Sequence, residues 1–462
     1  MPKTPSSEEI FKTMTVPQAV RTMAMPAVVS QLIVLIYNLA DTYFIGQTND
    51  PFMVAGVSLV LPVFNLTLCL GGLFGIGGGA LLPKLLAVER REEASRAAAW
   101  CLRSALIVAL LFSALLLALM RPILTVLGAS ENTYVHARTY VLMVLVLGGV
   151  PTIFSNVLSN LLRSLGLSRE AGVGVALGGV LNLGLDPLFM FVLLPRGQEV
   201  LGVGIATLIS NVTACVYCLV IFLRRQREIT PHILAVAPER ESVSAIFTVG
   251  IPGTLGTLLF DVDYMVLDKL VAGYGDAALA AIGIVLKAER FPQQVGIGLC
   301  QGMVPLVAYS YALRDRERVK AIMAHTLKIG LAVAAVSITV YELFAPQLVR
   351  LFIADSETLR IGTGFLRVRS VAAALMFFCF FAVFLFQGFG DGRRSTALAV
   401  LRWAVLNIPM LFLFNRIIGM YGLVWSQVVS DTLTVLISFA VILRFLRRWT
   451  EKERAEQAPP LQ

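Results

Sequence analysis

Four polar side chains lie in apolar, membrane-length segments of the first half of the chain. Asp41 is near the outer end of the first segment, and Asn182 and Asp186 are four residues apart in the fifth, so those two share one helix face. A carboxylate inside a bilayer costs roughly 3 kcal/mol, so one that persists there usually has a function or a partner. With Thr207 at the start of the sixth segment, these groups supply hard oxygen ligands that suit a small cation.

A proline strengthens this cation-site hypothesis. Pro187 follows Asp186 and has no N–H, so the carbonyl of Leu183, one turn earlier, lacks its helical donor. Two acids in a dry pocket cannot both ionise easily, so one of them is expected to take up a proton or another positive charge. In the alternative interpretation, which stays open at this point, Asp41 caps a helix end and Asp186 with Pro187 breaks a helix.

The elements that must position these residues are membrane-spanning helices. The chain is 57% hydrophobic and only 15% charged, and its apolar stretches are each roughly the 20 residues that cross a bilayer as a helix. Continuous apolar runs, rather than ten-residue alternations, favour helices over a β-barrel. We therefore predict an all-α, polytopic membrane protein of 12 transmembrane helices. The predicted spans are 24–46, 53–82, 97–119, 135–162, 170–194, 202–223, 245–271, 277–308, 324–345, 364–388, 396–415 and 421–445.

The chain repeats itself. Residues from about 20 to 220 align with residues from about 246 to 445, so that Pro26 meets Pro252 and Pro122 meets Pro346. Each copy holds six predicted spans and enters the membrane from the same side, which predicts two six-helix bundles related by a pseudo-two-fold axis along the membrane normal. The predicted parts are an N-lobe over 1–223, a cytoplasmic linker over 224–243, a C-lobe over 244–446 and a cytoplasmic tail over 447–462.

The charge distribution predicts the orientation of the chain. The net charge is +9, and most of the 38 Lys and Arg lie in the termini and the even-numbered connections. We predict a multi-pass protein of the cell's inner (plasma) membrane. By the positive-inside rule, both of its termini are predicted to lie in the cytoplasm. The charge therefore does not indicate nucleic-acid binding. The polar start of the chain does not look like a cleavable signal peptide.

The sequence holds no catalytic set. There is no Ser/His/Asp arrangement and no phosphate-binding loop before a Lys-Ser or Lys-Thr pair. We therefore expect no enzymatic activity, no cofactor and no ATPase subunit.

Two stretches resemble a known family. Pro26 followed by Tyr37-Asn38-Leu-Ala-Asp41-Thr-Tyr-Phe-Ile-Gly46 is similar to the first-helix signature of the multidrug and toxic compound extrusion (MATE) family, and Asn182-Leu-Gly-Leu-Asp186-Pro187 to its fifth-helix signature. The resemblance extends over nearly the whole chain and is closest to bacterial branches with an aspartate pair in the N-lobe. It implies two six-helix bundles facing each other in a V. It also implies export of cationic and amphipathic drugs in exchange for sodium ions or protons.

The resemblance assigns roles to matching positions. Asp41, Asn182 and Asp186 would form the coupling-ion site of the N-lobe, and Thr207 is a further match whose register depends on the length of the preceding loop. Pro26 would be the point at which the first helix bends when Asp41 changes protonation. A bound sodium ion at Asp41, Asn182 and Asp186 is the one metal that the resemblance allows.

The resemblance also implies a polar lining for the N-lobe pocket. Tyr37 and Tyr140 match polar aromatic positions, and Asn156 and Asn160 are both candidates for one further lining amide.

The second half departs from this pattern. The position of Asp41 falls near Leu267 or Asp268, and the counterpart of the fifth-helix signature reads Leu406-Asn407-Ile-Pro409. Spans 7 and 8 instead carry a separate group of charges, namely Asp261, Asp263, Lys287 and Glu289. Two alternatives stay open: a neutralising ion pair of Asp261 or Asp263 with Lys287, or direct binding of substrate or protons by these residues.

Together these observations predict a secondary active antiporter that exports cationic or amphipathic compounds in exchange for H⁺ or Na⁺. It is expected to work as a monomer in the lipid bilayer, on small-molecule substrates and without nucleic acid. The alternative is a flippase for lipid-linked precursors, from the same superfamily.

Overall fold

The computed structural model describes residues 6, 8–48, 50–225, 237–353 and 355–457. Across these ranges the chain is almost entirely helical and contains no strand. A helical turn at Glu9–Thr13 precedes the numbered helices. These are α1 Val16–Gly46, α2 Pro51–Ala87, α3 Arg91–Ala118, α4 Met120–Val126, α5 Glu131–Leu147, α6 Gly149–Ser164, α7 Ser168–Leu193, α8 Glu199–Arg225, α9 Arg240–Ala272, α10 Asp276–Ala312, α11 Arg316–Arg350, α12 Ser356–Ser370, α13 Ala373–Phe389, α14 Gly392–Ile418 and α15 Met420–Gln457.

The helices agree with the predicted membrane spans. In the described part of the chain, 10 helices are long and apolar enough to cross a membrane, and 2 bent helix pairs bring the number to 12 if each pair is one span. The pairs are α5 with α6, bent by 46°, and α12 with α13, bent by 47°. The all-α, multi-pass fold class is therefore confirmed. The fourth and tenth predicted spans are broken helices, which the continuous apolar runs did not predict.

Three of the long helices contain segments of the wider π-helix. These segments are Val141–Leu147 in α5, Leu188–Leu193 in α7 and Leu401–Asn407 in α14. The second begins directly after Pro187, which lacks the N–H that a regular helical turn needs. Such segments are frequent at functional sites because they change the direction of side chains over one turn.

The duplication is visible in the local backbone. Glu89 and Arg314 have left-handed backbone angles, with φ of 61° and 58°, and they occupy equivalent positions after α2 and α10. Gly166 and Gly390, with φ of 81° and 71°, end α6 and α13 in the same way. A non-glycine residue with positive φ is uncommon. The same turn at equivalent positions therefore supports the repeat that the sequence predicts.

By packing, the chain divides into two compact units. One comprises residues 1–258, 294–326 and 385–393, and the other residues 259–293, 327–384 and 394–462. The first holds an apolar core around Val60, Leu124 and Val144, and the second a core around Val285 and Phe365. The predicted linker over 224–243 includes residues 226–236, which lie outside the described residues. The lobe boundaries and the cytoplasmic tail therefore stay predictions.

Candidate cation site

Glycines on α7 allow α1 to pack closely against it. The polar residues of α1 therefore lie next to the polar residues of α7. A Cβ at Gly172 would lie 2.8 Å from the carbonyl oxygen of Pro26, and one at Gly179 would lie 2.9 Å from the ring of Tyr37. Ser168 fixes the start of α7 by donating a hydrogen bond of 2.5 Å to the carbonyl of Met23. Small residues allow this close helix contact in membrane proteins.

At the far end of this helix pair, the carboxyl groups of Asp41 and Asp186 lie within hydrogen-bonding reach of each other. Asp186 is 0% exposed, and Asp41 is half-buried. Two carboxylates are both acceptors, so a hydrogen bond between them requires a proton on one of them. The arrangement can therefore hold one shared proton, or a cation between the two groups.

Asn182 extends the pair to α8. Its Nδ2 donates to Oδ1 of Asp186 at 3.2 Å and to Oγ1 of Thr207 at 3.4 Å. Three buried oxygens of the cluster accept no hydrogen bond from any described residue: Oδ1 of Asp41, Oδ1 of Asn182 and Oδ2 of Asp186. Buried polar atoms are normally paired. Three buried acceptors without a donor, on residues of one cluster, are what a site for a positive charge requires.

Two tyrosines border the carboxyl pair. Tyr140 is buried and lies near enough to Asp41, Asp186 and Tyr37 for their charges to act on it. Tyr37 is one helical turn before Asp41 on α1 and also lies in the field of that carboxyl. The structure therefore brings together Asp41, Asn182, Asp186, Thr207, Tyr37 and Tyr140, as the sequence predicts. Their roles in transport stay predictions.

Asn156 and Asn160 form one polar strip on α6. The Nδ2 of Asn160 donates to the backbone oxygen of Asn156 at 2.9 Å and to its Oδ1 at 3.0 Å. Both face α2, where a Cβ at Gly71 or Gly75 would lie 3.0 Å from Asn156 or Asn160, respectively. Because the two amides are joined to each other, the structure does not select one of them as the pocket-lining group.

In the second half, Asp263 and Glu289 each have a buried partner that the sequence did not predict. The Nδ2 of Asn407 donates to both carboxyl oxygens of Asp263, each at 2.8 Å. Arg369 binds Glu289 through Nε at 2.6 Å and Nη2 at 2.9 Å. Of the alternatives left open above, the ion pair of Asp263 with Lys287 is not formed, because Asp263 is buried against Asn407 and Lys287 lies on the exposed face of α10. Asp261 is half-buried, and its role stays a prediction.

A further buried ion pair was missed by sequence reasoning. Arg402 binds Asp431 through Nε at 2.7 Å and Nη2 at 3.0 Å, and Gln427 also donates to Asp431 at 2.8 Å. Ser430 completes the network by donating to Oδ1 of Asn407 at 3.0 Å. A signal was available in the sequence, because Arg402 lies inside a predicted span, where a charge is costly.

These features define a class of protein: an internally duplicated helical membrane transporter with buried acidic oxygens between its spans. The chain belongs to the MATE family. The model of this family, described as MatE, matches residues 26–188 and again residues 252–413, which together exceed half of the chain. The two matches fall in the two copies of the repeat and confirm the duplication.

The chain is similar to proteins described as multidrug export proteins. It is 31% identical over 427 residues to the multidrug export protein MepA of Staphylococcus saprophyticus, with 92% of this chain and 93% of that protein covered. It is 29% identical over 440 residues to MepA of Staphylococcus aureus, with 95% and 96% covered.

Solved structures share the fold. A multidrug resistance MATE family transporter of the MOP superfamily in its outward-facing conformation matches with a TM-score of 0.91 at 22% identity, covering 97% of this chain and 100% of that chain. A MOP superfamily transporter from Pyrococcus furiosus, described as having reverse polarity of its binding pocket, matches with a TM-score of 0.90 at 22% identity, covering 97% and 99%. At this identity the likeness shows the fold.

Proposed function

We propose that this protein is a secondary active multidrug antiporter that exports cationic or amphipathic compounds in exchange for H⁺ or Na⁺. The observation that carries the proposal is the cluster of three buried oxygens without donors on Asp41, Asn182 and Asp186. The chain is similar over more than nine-tenths of its length to proteins described as multidrug export proteins. This similarity supports drugs as the exported compounds.

In this mechanism the coupling cation is a substrate that binds at the carboxyl pair. Asn182 orients Asp186 through its amide hydrogen and leaves its own oxygen for the cation. Thr207 holds the second amide hydrogen of Asn182. Binding replaces the repulsion between two acids by attraction to a shared positive charge, which draws the outer part of α1 toward α7.

The first helix has a built-in place to bend in response. Pro26 lacks an N–H, so the carbonyl of Thr22 loses its helical donor. Ser30 donates a hydrogen bond of 2.5 Å to the carbonyl of Pro26 and stabilises the present conformation of this turn. A change of charge at Asp41 acts on the helix segment beyond this point. Coupling is then reciprocal, because cation and drug each weaken the binding of the other by the same factor.

The membrane supplies the driving force. One elementary charge that moves inward across 100 mV provides about 2.3 kcal/mol. In this proposal the protein acts as a monomer with both termini in the cytoplasm, as the distribution of Lys and Arg indicates.

The test uses Asp41→Asn in the full-length protein, reconstituted in vesicles with a pH gradient and a sodium gradient imposed separately. The uncharged amide cannot share a proton with Asp186, so we expect loss of cationic dye efflux driven by either ion. Asp50→Asn is the matched control, because Asp50 caps α2 through Phe52 N at 2.8 Å and Asn caps helices equally well.

Wild-type efflux by Asp41→Asn would contradict the role of Asp41. Transport of a lipid-linked precursor without dye efflux by the unaltered protein would favour the flippase alternative.

A further inference from the structure

The second half contains a second buried polar cluster, built around the counterparts of Asn182 and Thr207. Its acids, Asp263 and Asp431, align with Asn38 and Asn211 and not with Asp41 and Asp186. Asn407 lies 225 positions after Asn182, which is the spacing of the repeat, and the alignment of Ser210 with Ser430 places Gln427 opposite Thr207. The contacts correspond as well. The Nδ2 of Asn407 lies 3.3 Å from Oε1 of Gln427, as the Nδ2 of Asn182 lies 3.4 Å from Oγ1 of Thr207. The same amide-to-helix contact is therefore present in both copies.

The two copies differ in how their oxygens are satisfied. In the first, one oxygen each of Asp41, Asn182 and Asp186 has no donor among the described residues. In the second, every carboxyl oxygen of Asp263 and Asp431 accepts a hydrogen bond, from Asn407, Gln427 or the guanidinium of Arg402. The oxygen of Asn407 is also satisfied, by Ser430.

Arg402 supplies the positive charge in this second cluster. Its guanidinium binds Asp431 at two points and lies 4.0 Å from the ring centre of Trp403 and 4.9 Å from that of Phe380. Stacking and a two-point ion pair hold the group in one orientation. The equivalent position in the first half is Leu177, so the first copy has no such cation of its own.

The surroundings of Asp263 complete the charge balance. Arg369 of α12 and Arg402 of α14 both attract its carboxyl group, and Asp431 of α15 repels it. Arg369 is itself bound to Glu289 of α10. Asp263 is therefore attracted by two fixed guanidinium groups, whereas the described residues give the carboxyl pair of Asp41 and Asp186 no basic partner.

We propose that Arg402 is a tethered cation that permanently occupies the polar cluster of the second half, so that an exchangeable ion binds only in the first half. The inference rests on the proposed function for the identity of the ions, H⁺ and Na⁺. In this proposal Arg402 limits the number of coupled ions. Its guanidinium group provides the positive charge that an exchangeable cation would otherwise bring to the cluster.

The experiment measures ion binding by the purified full-length protein without drug. Two quantities are measured: bound ²²Na⁺, and proton uptake on acidification. They are compared between Asp41→Asn/Asp186→Asn, which lacks the first-half site, and the same variant with Arg402→Met added. In the variant without the first-half site we expect no bound ²²Na⁺, and only the proton uptake of the protein's other acids and histidines, which serves as the baseline. Removing one partner of a buried ion pair leaves an uncompensated charge, so the Met variant should gain about one proton or Na⁺ per protein.

Two further variants separate charge from packing. Arg402→Lys in the same background keeps a fixed cation and should gain nothing, and Asp431→Asn added to Arg402→Met should remove the gain. A well-folded Arg402→Met variant that gains no cation would overturn the proposal.

One comparison holds even if Arg402→Met does not fold. Asp41→Asn/Asp186→Asn is compared with the same protein carrying Asp263→Asn. If Asp41→Asn/Asp186→Asn takes up an ion and the variant with Asp263→Asn added does not, the second half of the chain exchanges ions. That result would also overturn the proposal. Equal uptake by the two variants supports it. Because no drug is present, this outcome is independent of whether the protein exports drugs.

Discussion

At the scale of single residues, the hydroxyl of Thr207 gives a sensitive test of the candidate cation site. It accepts a hydrogen bond from Asn182, which in turn orients Asp186. Thr207→Val removes this acceptor and keeps the shape of the side chain. A neutral hydrogen bond contributes about 1 kcal/mol, so we expect the half-saturating concentration of the driving cation for dye efflux to rise roughly fivefold.

The control lies on the same helix. Thr213 is half-buried, and among the described residues its hydroxyl donates to the carbonyl of Ile209, one turn earlier. Thr213→Val should therefore leave the cation dependence unchanged. Equal cation dependence in the two variants would show that Thr207 does not belong to the site.

Single residues also show how far the site could be predicted. Asp41, Asn182 and Asp186 were identified because acids and an amide are conspicuous in apolar segments, and four-residue spacing fixes a common helix face. The pairing of Asp263 was not predictable in this way. Its partner Asn407 is 144 positions away, and which faces of two distant helices meet depends on how all the helices between them pack.

At the scale of elements, the glycines of α7 control the distance between α1 and the cation site. A Cβ at Gly172 would lie 2.8 Å from the carbonyl oxygen of Pro26, which is backbone and cannot move aside as a side chain can. Gly172→Ala must therefore separate α1 from α7, at a cost of about 1–3 kcal/mol. We expect a lower unfolding temperature and reduced efflux.

A second glycine of the same helix is the control. A Cβ at Gly184 would have no neighbour within 4 Å, so Gly184→Ala should be neutral or stabilise α7 by up to about 1 kcal/mol through helix propensity. Comparable destabilisation by both substitutions would mean that helix approach at Gly172 is not what positions α1.

The segment before α1 forms a separate element attached to α10 and α11. The side chains of Ile10 and Phe11 are buried, and the ring of Phe11 stacks on Tyr309 with 4.9 Å between centroids. Arg318 donates to the carbonyls of Met14 at 3.0 Å and Ile10 at 3.2 Å. This segment therefore ties the start of α1 to the second copy of the repeat.

Phe11→Ala should release this segment. Truncating a buried Phe removes about 3–5 kcal/mol of local packing, so we expect the backbone amides of Glu9–Thr13 to exchange hydrogen much faster, as measured by mass spectrometry. Lys12→Ala is the control, because the side chain of Lys12 is exposed and pairs with exposed Glu8. Unchanged exchange in Phe11→Ala would mean that the ring does not anchor the segment.

The elements themselves were largely predictable, and their interruptions were not. Hydropathy located the long helices because a span needs a continuous apolar run. The bend at Gly148 occurs within such a run, where the apolar pattern does not change. The bend after Ser370 follows Arg367 and Arg369, a polar interruption that the predicted span 364–388 passed over. The π-helical segment Leu401–Asn407 likewise depends on tertiary packing, which hydropathy does not contain.

At the scale of the whole molecule, the two copies of the repeat meet through glycines in a symmetric pattern. Gly77 of α2 contacts the backbone of Ile246 in α9, and Gly250 of α9 contacts the backbone of Leu73 in α2. The first and second helices of opposite copies therefore touch backbone to backbone. Because such contacts bury few side chains, they can form and separate with little repacking, which alternating access between two repeats requires.

Helices α1 and α10 make the contact that is equivalent, in the repeat, to the contact of α9 with α2. A Cβ at Gly302 would lie 2.5 Å from the Cα of Ala24, and one at Gly298 would lie 2.6 Å from the Cα of Val28. A large side chain at either position is incompatible with this arrangement of the two helices. It is tolerated only in a state in which α1 and α10 are apart.

Gly302→Leu should therefore shift the transporter between states without unfolding it. If the substitution disfavours the present arrangement by about 1–3 kcal/mol, the ratio of the two states changes roughly 5- to 150-fold. We expect dye efflux to fall by a comparable factor, and a cysteine placed at Ala24 to become more reactive toward a soluble maleimide. Gly283→Leu is the control on the same helix, since a Cβ there would meet nothing within 4 Å. Normal efflux by Gly302→Leu would show that close contact of α1 and α10 is not a necessary state of the transport cycle.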